Sequence, residues 1–353
     1  MKTELFDYHL PPEKIAQHPL DPRDSSRLLV IQKTKENVQN EGILQEMIFR
    51  DITQLFRSWD VLVINDTKVM PARICGHTIL KNGEKKEVEC LFLRNTSPDT
   101  WEIMCFPGER LKTGRQIILE NNMILEIVGE TYAGRLVRVP VAHHEWLEVL
   151  QEYGEVPLPP YITEHLANSE LYQTVYAEHL GSTASPTAGR HFTPELLQKI
   201  QNMGVQIANV TLHIWPGTFK PIYEEDITDY QIHSECVTIP AETIEILEQA
   251  HKKWDRIVAV GTTSMRSLES YIAGKFTILE NGGYGGETDI YITPGYEFQM
   301  VDALITNFHA PRTSLLVLVA AFMGHDWMMQ AYQYALDHNF RFLSFGDVMW
   351  IEV

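Results

Sequence analysis

Four groups able to do chemistry lie close together in the segment VDALITNFHAPRTSLL: Asp302, Asn307, His309 and Arg312. Residues 303–306 (Ala-Leu-Ile-Thr) predict a strand, and in α/β folds ligands bind at the carboxyl ends of strands. A histidine there can act as a general acid or base, and Asn307 or Asp302 could fix its tautomer. The alternative is a histidine that only braces the turn.

A second segment, IVAVGTTSMRSLES, predicts a buried strand, a tight turn at Gly261, Thr262 and Thr263, and the start of a helix that carries Arg266. Free main-chain N–H groups and the helix dipole make such a turn suitable for an anion or the polar edge of a ligand. An ordinary strand-to-helix turn is the alternative, because Gly-Thr-Thr is not the dinucleotide-binding fingerprint.

Two further stretches contribute candidates. In YQTVYAEHLGSTASPTAGRHFT, residues 181–189 predict a loop, and Arg190 and His191 follow it. Loops of this kind commonly carry binding groups, although a loop without function is the alternative. Near the end of the chain, FRFLSFGDVMWI predicts an aromatic-rich core strand that leaves Asp347 as its functional candidate.

Metal binding has little support in the sequence. His191, His213, His233 and Glu235 are zinc-type ligands, but they lack compact ligand spacing. The four cysteines are scattered and show no CxxC pair. We therefore expect no metal site.

The pattern of predicted secondary structure changes twice along the chain. Residues 61–64 predict a core strand, and residues 72–150 contain many short strand-like runs separated by turn signals, which favours a small barrel. Beyond residue 154, strand and helix patterns alternate, and one strand is predicted over 289–292. Thr193 and Pro194 predict the start of a helix and Gly204 its end. These patterns predict an α/β fold with a mainly parallel sheet covered by helices (1–71 and 151–353) and an inserted β-barrel domain (72–150).

Composition constrains the partners. The chain has 47 acidic and 29 basic residues and a net charge of -18, so an RNA would have to meet a local basic patch. The absence of a long apolar run and of a signal-peptide core predicts a cytoplasmic protein without membrane contact. The basic residues in or beside the segments above are Lys68, Arg73, Arg190, Lys220, Arg266 and Arg312.

Taken together, several segments resemble the S-adenosylmethionine:tRNA ribosyltransferase-isomerase family of queuosine biosynthesis, nearly from end to end. Many separate motifs in one order are far more specific than any single motif. The segments are IAQHPLDPRDSSRLLV, LVINDTKVMPARI, GEVPLPPYI, YQTVYA, PTAGRHFT, PGTF, VAVGTTSMRSLES, LITNFHAPRTSLL and FRFLSFGDVMWI.

The resemblance implies an enzyme that moves the ribosyl part of S-adenosylmethionine onto 7-aminomethyl-7-deazaguanine at the wobble position of tRNA. That group is isomerised to an epoxycyclopentanediol, which gives epoxyqueuosine-tRNA and releases adenine and methionine. S-adenosylmethionine is a consumed substrate, and no other cofactor is implied. The alternatives are an enzyme of this fold acting on another base or small molecule, and a non-catalytic RNA-binding relative.

The reaction type suggests roles for the candidate residues. A sulfonium acidifies the adjacent C5′–H, so a positioned histidine or carboxylate can remove that proton. The candidates for proton transfer are, in falling order, His309, His191, Asp302 and Asp347. The candidates for substrate binding are Asn65, Asp66, Arg190, Gly261, Thr262, Thr263, Arg266, Asn307 and Arg312.

The chain departs from the family pattern at several places. The pattern reads PTAGLHFT where this chain has Arg190, and Trp215 and Tyr230 also stand at positions where the pattern differs. Arg190 and Trp215 lie beside candidate site residues, so we expect any change in substrate to involve them.

Overall fold

A computed structural model describes residues 1–32, 43–80, 82–109, 111–131, 134–164, 166 and 168–353. The chain divides into two compact units. The larger comprises Met1–Thr67, Pro159–His179 and Ser185–Val353, and the smaller Lys68–Leu158 and Leu180–Ala184. The domain boundaries predicted above stay a prediction.

The strands within the described residues are, in chain order, β1 (Arg27–Gln32), β2 (Ile43–Ile48), β3 (Val61–Asn65), β4 (Thr67–Val69), β5 (Arg73–Ile79), β6 (Lys85–Ser97), β7 (Thr100–Phe106), β8 (Gln116–Leu119), β9 (Ile124–Glu130), β10 (Arg135–Arg138), β11 (His179–Ser182), β12 (Gln206–Leu212), β13 (Glu235–Ile239), β14 (Ile257–Val260), β15 (Thr277–Ile278), β16 (Tyr284–Thr288), β17 (Ala303–Asn307) and β18 (Val348–Glu352). The α-helices are α1 (His143–Tyr153), α2 (Pro194–Asn202), α3 (Ala241–Lys253), α4 (Gly261–Ile272), α5 (Ser314–Met323) and α6 (His325–Asp337).

The larger unit is built on a ten-stranded sheet of order β15-β16-β13-β12-β3-β14-β17-β18-β1-β2. Its centre, β12-β3-β14-β17, is parallel, and antiparallel pairs flank it on both sides. Every residue of β3, β14 and β17 is buried, as expected for central strands covered on both faces. The prediction of an α/β fold with a mainly parallel sheet is confirmed.

One face of this sheet packs against α2. Leu62, Val258 and Ile305 share a buried cluster with Leu196 and Ile200 of that helix. The helix starts where the sequence predicts, because the Thr193 hydroxyl accepts the Leu196 N–H at 3.1 Å and Pro194 takes the first position. Gly204 follows the end of the helix with φ of 93°.

The smaller unit contains a closed antiparallel barrel of order β10-β7-β6-β5-β8-β9. Large side chains fill it, among them Phe92, Trp101 and Trp146, which are fully buried and lie in edge or tilted ring contact. The predicted β-barrel is therefore confirmed. No helix in the described parts of either unit is long and apolar enough to cross a bilayer.

One predicted element is wrong. Residues 289–292 are not a strand, although Ile290 and Ile292 are buried. The neighbouring β16 ends its pairing with β13 at Thr288, opposite Glu235. The chain then turns away, and the Thr288 hydroxyl accepts the Ile290 N–H at 3.2 Å. Burial against other parts of the fold explains the apolar pattern.

Candidate functional site

The site forms where the central parallel strands β14 and β17 end side by side. Their register pairs Val260 with Ile305, so the first turn of α4 lies next to the residues that follow β17. Gly261 opens α4 with φ of 84°, a conformation that favours glycine. The amino end of α4, with its positive partial charge, thus faces the carboxyl edge of the sheet.

A cavity of about 620 Å³, including its mouth, opens at this edge. We call it the carboxyl-edge cavity. Its wall is mainly apolar with a few polar groups, as is usual for small-molecule sites. It is lined by residues 185–188, 261–263 and 306–310, together with Tyr161, Ile214, Thr313, Leu315, Leu343 and Ser344.

Asn307 presents an unused acceptor in this cavity. The two N–H groups of its Nδ2 are shared among three acceptors: the carbonyl oxygens of Leu343 and Asp347, at 3.2 and 3.3 Å, and Nε2 of His191 at 3.2 Å. Because all three neighbours accept, they fix the orientation of the amide. Oδ1 is buried and has no partner within the described residues. Asn307 is therefore ready to accept a hydrogen bond from a ligand.

Two hydroxyl groups in the cavity wall also lack a hydrogen-bond partner among the described residues. Oγ of Ser185 and Oγ1 of Thr263 are buried without a hydrogen-bond partner in the part of the chain that the structure describes. Buried polar groups are rarely left unpaired, since each costs about 1–3 kcal/mol. The cavity thus holds polar groups suited to a polar ligand such as a nucleoside.

His309 is held firmly in the cavity wall. Its main-chain N–H donates to the Tyr332 hydroxyl at 3.0 Å, and its carbonyl accepts the Tyr8 hydroxyl. Nε2 lies 2.8 Å from Oγ1 of Thr306, whereas no described residue contacts Nδ1 by a hydrogen bond. Burial lowers the pKa of His309 to about 3, so the imidazole is neutral at pH 7.

His191 lies behind Asn307. Its Nδ1 is 2.7 Å from the Ser26 hydroxyl, and its Nε2 accepts from Asn307, which places the proton on Nδ1. Burial, followed by the charges of nearby arginines, lowers its pKa to about 3. With both ring nitrogens engaged, His191 is suited to positioning Asn307.

Comparisons with known proteins extend over almost the whole chain. Residues 3–351 match the model of a family described as queuosine biosynthesis protein. The chain belongs to this family. It is 44% identical to a Desulfitobacterium hafniense protein named S-adenosylmethionine:tRNA ribosyltransferase-isomerase, over 99% of this chain and all of that protein. A protein of the same name from Caldanaerobacter subterraneus subsp. tengcongensis is 42% identical over the same shares.

A solved structure supports the fold of the family. The crystal structure of S-adenosylmethionine tRNA ribosyltransferase from Thermotoga maritima is 34% identical, with a TM-score of 0.54, and the match covers 98% of this chain and 99% of that one. The resemblance inferred from the motifs is therefore confirmed.

Within this family member, the structure brings together Gly261, Thr262, Thr263, Asn307 and His309, which all line the carboxyl-edge cavity. It adds groups that sequence reasoning missed, namely Tyr161, Ser185, Thr306 and Ser344. The sequence did hold a signal for them, since all four lie in or next to segments that carry the family resemblance.

Other predicted candidates lie elsewhere. Asp302 precedes β17, at the opposite end of the strand from His309, and its carboxylate accepts the Ile257 N–H at 2.7 Å. It therefore cannot fix the tautomer of His309, and Asn307 does not do so either. The group that forms a hydrogen bond with Nε2 of His309 is the Thr306 hydroxyl. We do not retain Asp302 as a proton-transfer candidate.

Asp347 holds neighbouring residues of the site in place and does not line the cavity. Its buried carboxylate accepts the main-chain N–H groups of Arg27 and Arg341, at 3.0 and 2.8 Å, and pairs with the Arg341 guanidinium. Its main-chain carbonyl accepts from Asn307. This arrangement suits a positioning residue.

Arg266 is buried outside the lining of the carboxyl-edge cavity, and one of its nitrogens, Nη2, has no partner among the described residues. It is 3% exposed, and its guanidinium forms a buried ion pair with Glu235 and donates to the Ile290 carbonyl. Because the side chain is buried, the expectation that Arg266 belongs to an exposed basic patch is corrected, whereas its role in substrate binding stays a prediction. Arg312, 39% exposed at its side chain, lies 3.9 Å from Asp7 and outside the cavity lining.

The predicted pair Asn65 and Asp66 also lies outside the cavity lining. The Asn65 amide bonds the main chain of Leu212 and Thr67, and Asp66 accepts the Thr211 hydroxyl at 2.6 Å. These bonds fix the chain at the carboxyl end of β3.

One described group could offer donors to a metal. Ligand atoms of Asp66, Glu178 and His179 lie within 4.8 Å of one another. Glu178 and His179 are exposed, and Asp66 already accepts from Thr211. We assign no metal to this group.

Proposed function

We propose that the protein transfers and isomerises the ribosyl moiety of S-adenosylmethionine onto 7-aminomethyl-7-deazaguanine at the wobble position of tRNA. The products are epoxyqueuosine-tRNA, adenine and methionine. S-adenosylmethionine is consumed, no further cofactor takes part, and the reaction occurs in the cytoplasm. The observation that carries the proposal is full-length similarity to named ribosyltransferase-isomerases, combined with a cavity whose free polar groups suit a nucleoside.

The carboxyl-edge cavity provides the means to hold the nucleoside part of S-adenosylmethionine. Oδ1 of Asn307 can accept from an amino or hydroxyl group of the ligand, and Ser185 and Thr263 can donate or accept. The first turn of α4 supplies main-chain N–H groups to an oxygen or ring nitrogen. Binding in a largely apolar wall also removes water, which protects reactive intermediates.

The proton transfers follow from the same geometry. The sulfonium acidifies the adjacent C5′–H, and we assign its removal to the neutral imidazole of His309 through Nδ1. Its lowered pKa makes the imidazole a weak base, so the transfer relies on the acidity that the sulfonium confers and on close approach of Nδ1 to the C5′–H. The proton then passes from His309 to the departing adenine. Departure of adenine needs hydrogen bonding or protonation of its ring nitrogens, which the polar wall of the cavity can support.

Adenine release tests this function. The protein, incubated with S-adenosylmethionine and tRNA bearing 7-aminomethyl-7-deazaguanine, is expected to release adenine and methionine in equal amounts. Chromatography measures both. The control is tRNA with unmodified guanine at the wobble position, which should give no release. Release with a different base only would favour an enzyme of the same fold with another substrate.

The tRNA affinity should fall steeply with added salt, because phosphate contacts displace counterions. Among the basic residues of the larger unit named above, Arg190 and Arg266 are buried, which leaves Lys220 and Arg312 for phosphate contacts. Lys220 is exposed, and its side chain has no hydrogen-bond or ion-pair partner among the described residues. Lys220→Ala should therefore lower the slope of log affinity against log salt by roughly one.

The matched control for this measurement is Lys252→Ala, which removes an exposed lysine that pairs with Glu248 on α3. Its slope should equal that of the unmodified protein. Salt-independent binding of tRNA would contradict the basic patch.

A further inference from the structure

A second hollow, of about 240 Å³, lies beside the carboxyl-edge cavity. The two share Ser344 in their walls, and the hydrogen bond from Asn307 to His191 connects them. We call it the arginine hollow, since it is lined by Arg23, Ser26, Arg190, His191, Arg341 and Ser344, among others. It thus places three guanidinium groups next to the proposed substrate site.

Among the described residues, the protein balances the positive charge of this hollow only in part. Arg341 pairs with Asp347 at 3.2 Å. Neither Arg190 nor Arg23 has a carboxylate within ion-pair distance in the described parts of the chain. Arg190 donates to the carbonyl oxygens of Leu171 and Ser344, at 3.1 and 2.7 Å, and Arg23 to that of Gln173 at 3.0 Å.

Of these two residues, Arg190 gives the stronger evidence for an anion site, because it is buried and only 6% exposed. A buried charge without a counter-ion is costly, and desolvation lowers the pKa of Arg190 to about 9. The rings of Phe345 and Tyr172, with centroids 4.3 and 5.7 Å from the guanidinium carbon, compensate only in part. The charge of Asp21 raises the pKa of Arg23, although the two side chains are beyond ion-pair distance.

We propose that the arginine hollow binds an oxyanion of a substrate, through Arg190 and Arg23 with Ser26 beside them. Guanidinium groups bind carboxylate and phosphate oxygens through paired N–H donors. The choice of ligand rests on the proposed function, in which two substrates carry such a group. The methionine part of S-adenosylmethionine has a carboxylate, and tRNA has phosphates. Either would be held next to the carboxyl-edge cavity.

Inorganic phosphate tests the hollow without any substrate. At about tenfold its dissociation constant, phosphate should raise the melting temperature by roughly 3 °C more than chloride of equal ionic strength. The rise should be lost in Arg190→Met and in Arg23→Gln. Arg57→Gln is the control, since Arg57 is an exposed arginine paired with Glu352. Equal rises in all four proteins would be a general salt effect and would overturn the proposal.

The second measurement identifies the source of the anion. If it is the carboxylate, Arg23→Gln should weaken S-adenosylmethionine binding roughly tenfold or more, and decarboxylated S-adenosylmethionine should bind both proteins equally. If it is a phosphate, Arg23→Gln should instead weaken tRNA binding and lower its salt slope by about one. Unchanged binding of both substrates would overturn the proposal.

Arg23→Gln is the variant expected to fold normally if Arg190→Met does not, because Arg23 is only half-buried and makes one hydrogen bond. Failure of the proposed function has a different signature. In that case the unmodified protein releases no adenine, yet phosphate still stabilises it more than it stabilises Arg190→Met.

Discussion

Replacing His309 with alanine is expected to lower the single-turnover rate by roughly a hundredfold or more, the usual contribution of a general acid or base. His309 lines the carboxyl-edge cavity and is held by Tyr8, Thr306 and Tyr332, and its Nδ1 has no hydrogen-bond partner among the described residues. Binding of S-adenosylmethionine should change much less, because the role belongs to the transition state.

The alternative is that His309 only braces the turn before Pro311. His309→Ala would then lose thermal stability, while its folded fraction kept a near-normal rate. Melting temperature and single-turnover rate, measured on one preparation, separate the two outcomes. His251→Ala removes an exposed histidine of α3 and is the matched control.

The pH dependence gives a second readout on His309. Since its pKa is lowered to about 3, the rate should show no titration by His309 between pH 6 and 8. A rate-controlling group with a pKa near 6.5 that disappears in His309→Ala would contradict the buried, neutral imidazole.

The free energy of unfolding is expected to fall markedly between pH 7 and pH 5. Burial lowers the pKa of His191 and His309 to about 3 and that of His213 to about 4. The unfolded chain binds these protons below about pH 6.5, whereas the folded protein does not. Stability is therefore complete above pH 6.5 and is lost as the pH falls towards the folded values.

At pH 5 each of the three histidines contributes a loss of about 2 kcal/mol, a large part of the stability of an ordinary domain. Asp66 and Asp302 act in the opposite direction at lower pH, because burial raises their pKa values. Denaturant titrations at pH 7 and pH 5 measure the change.

His213→Gln should lower this pH dependence by about one proton, since His213 is one of the three histidines whose pKa is lowered in the folded protein. The exposed His251 serves again as the control, and its replacement should leave the dependence unchanged. Equal or greater stability at pH 5 would show that these imidazoles are not buried in the neutral form.

Local signals in the sequence predicted much of the fold. Thr193 and Pro194 start α2 because capping depends on neighbouring residues, and Gly261 marks the turn into α4 because its φ is positive. The alternation of strand and helix patterns predicted the parallel centre of the sheet, and the short runs of 72–150 predicted the barrel.

The site could be predicted only in part, because side-chain roles depend on partners distant in the chain. Arg266 is neutralised by Glu235, 31 residues away, and the carboxylate of Asp347 is occupied by Arg27, 320 residues away. Asp302 lies only seven residues from His309, yet an intervening strand separates the two groups. The unbalanced charge of Arg190 likewise becomes visible only when its surroundings are known.

The most direct test of the central claim uses S-adenosylmethionine labelled with carbon-13 throughout its ribose. After incubation with tRNA bearing 7-aminomethyl-7-deazaguanine, the RNA is digested and its nucleosides are measured by mass spectrometry. We predict an epoxyqueuosine nucleoside that carries the whole label, together with unlabelled adenine and methionine. An unlabelled precursor nucleoside in tRNA that the protein demonstrably binds would contradict the proposed ribosyl transfer.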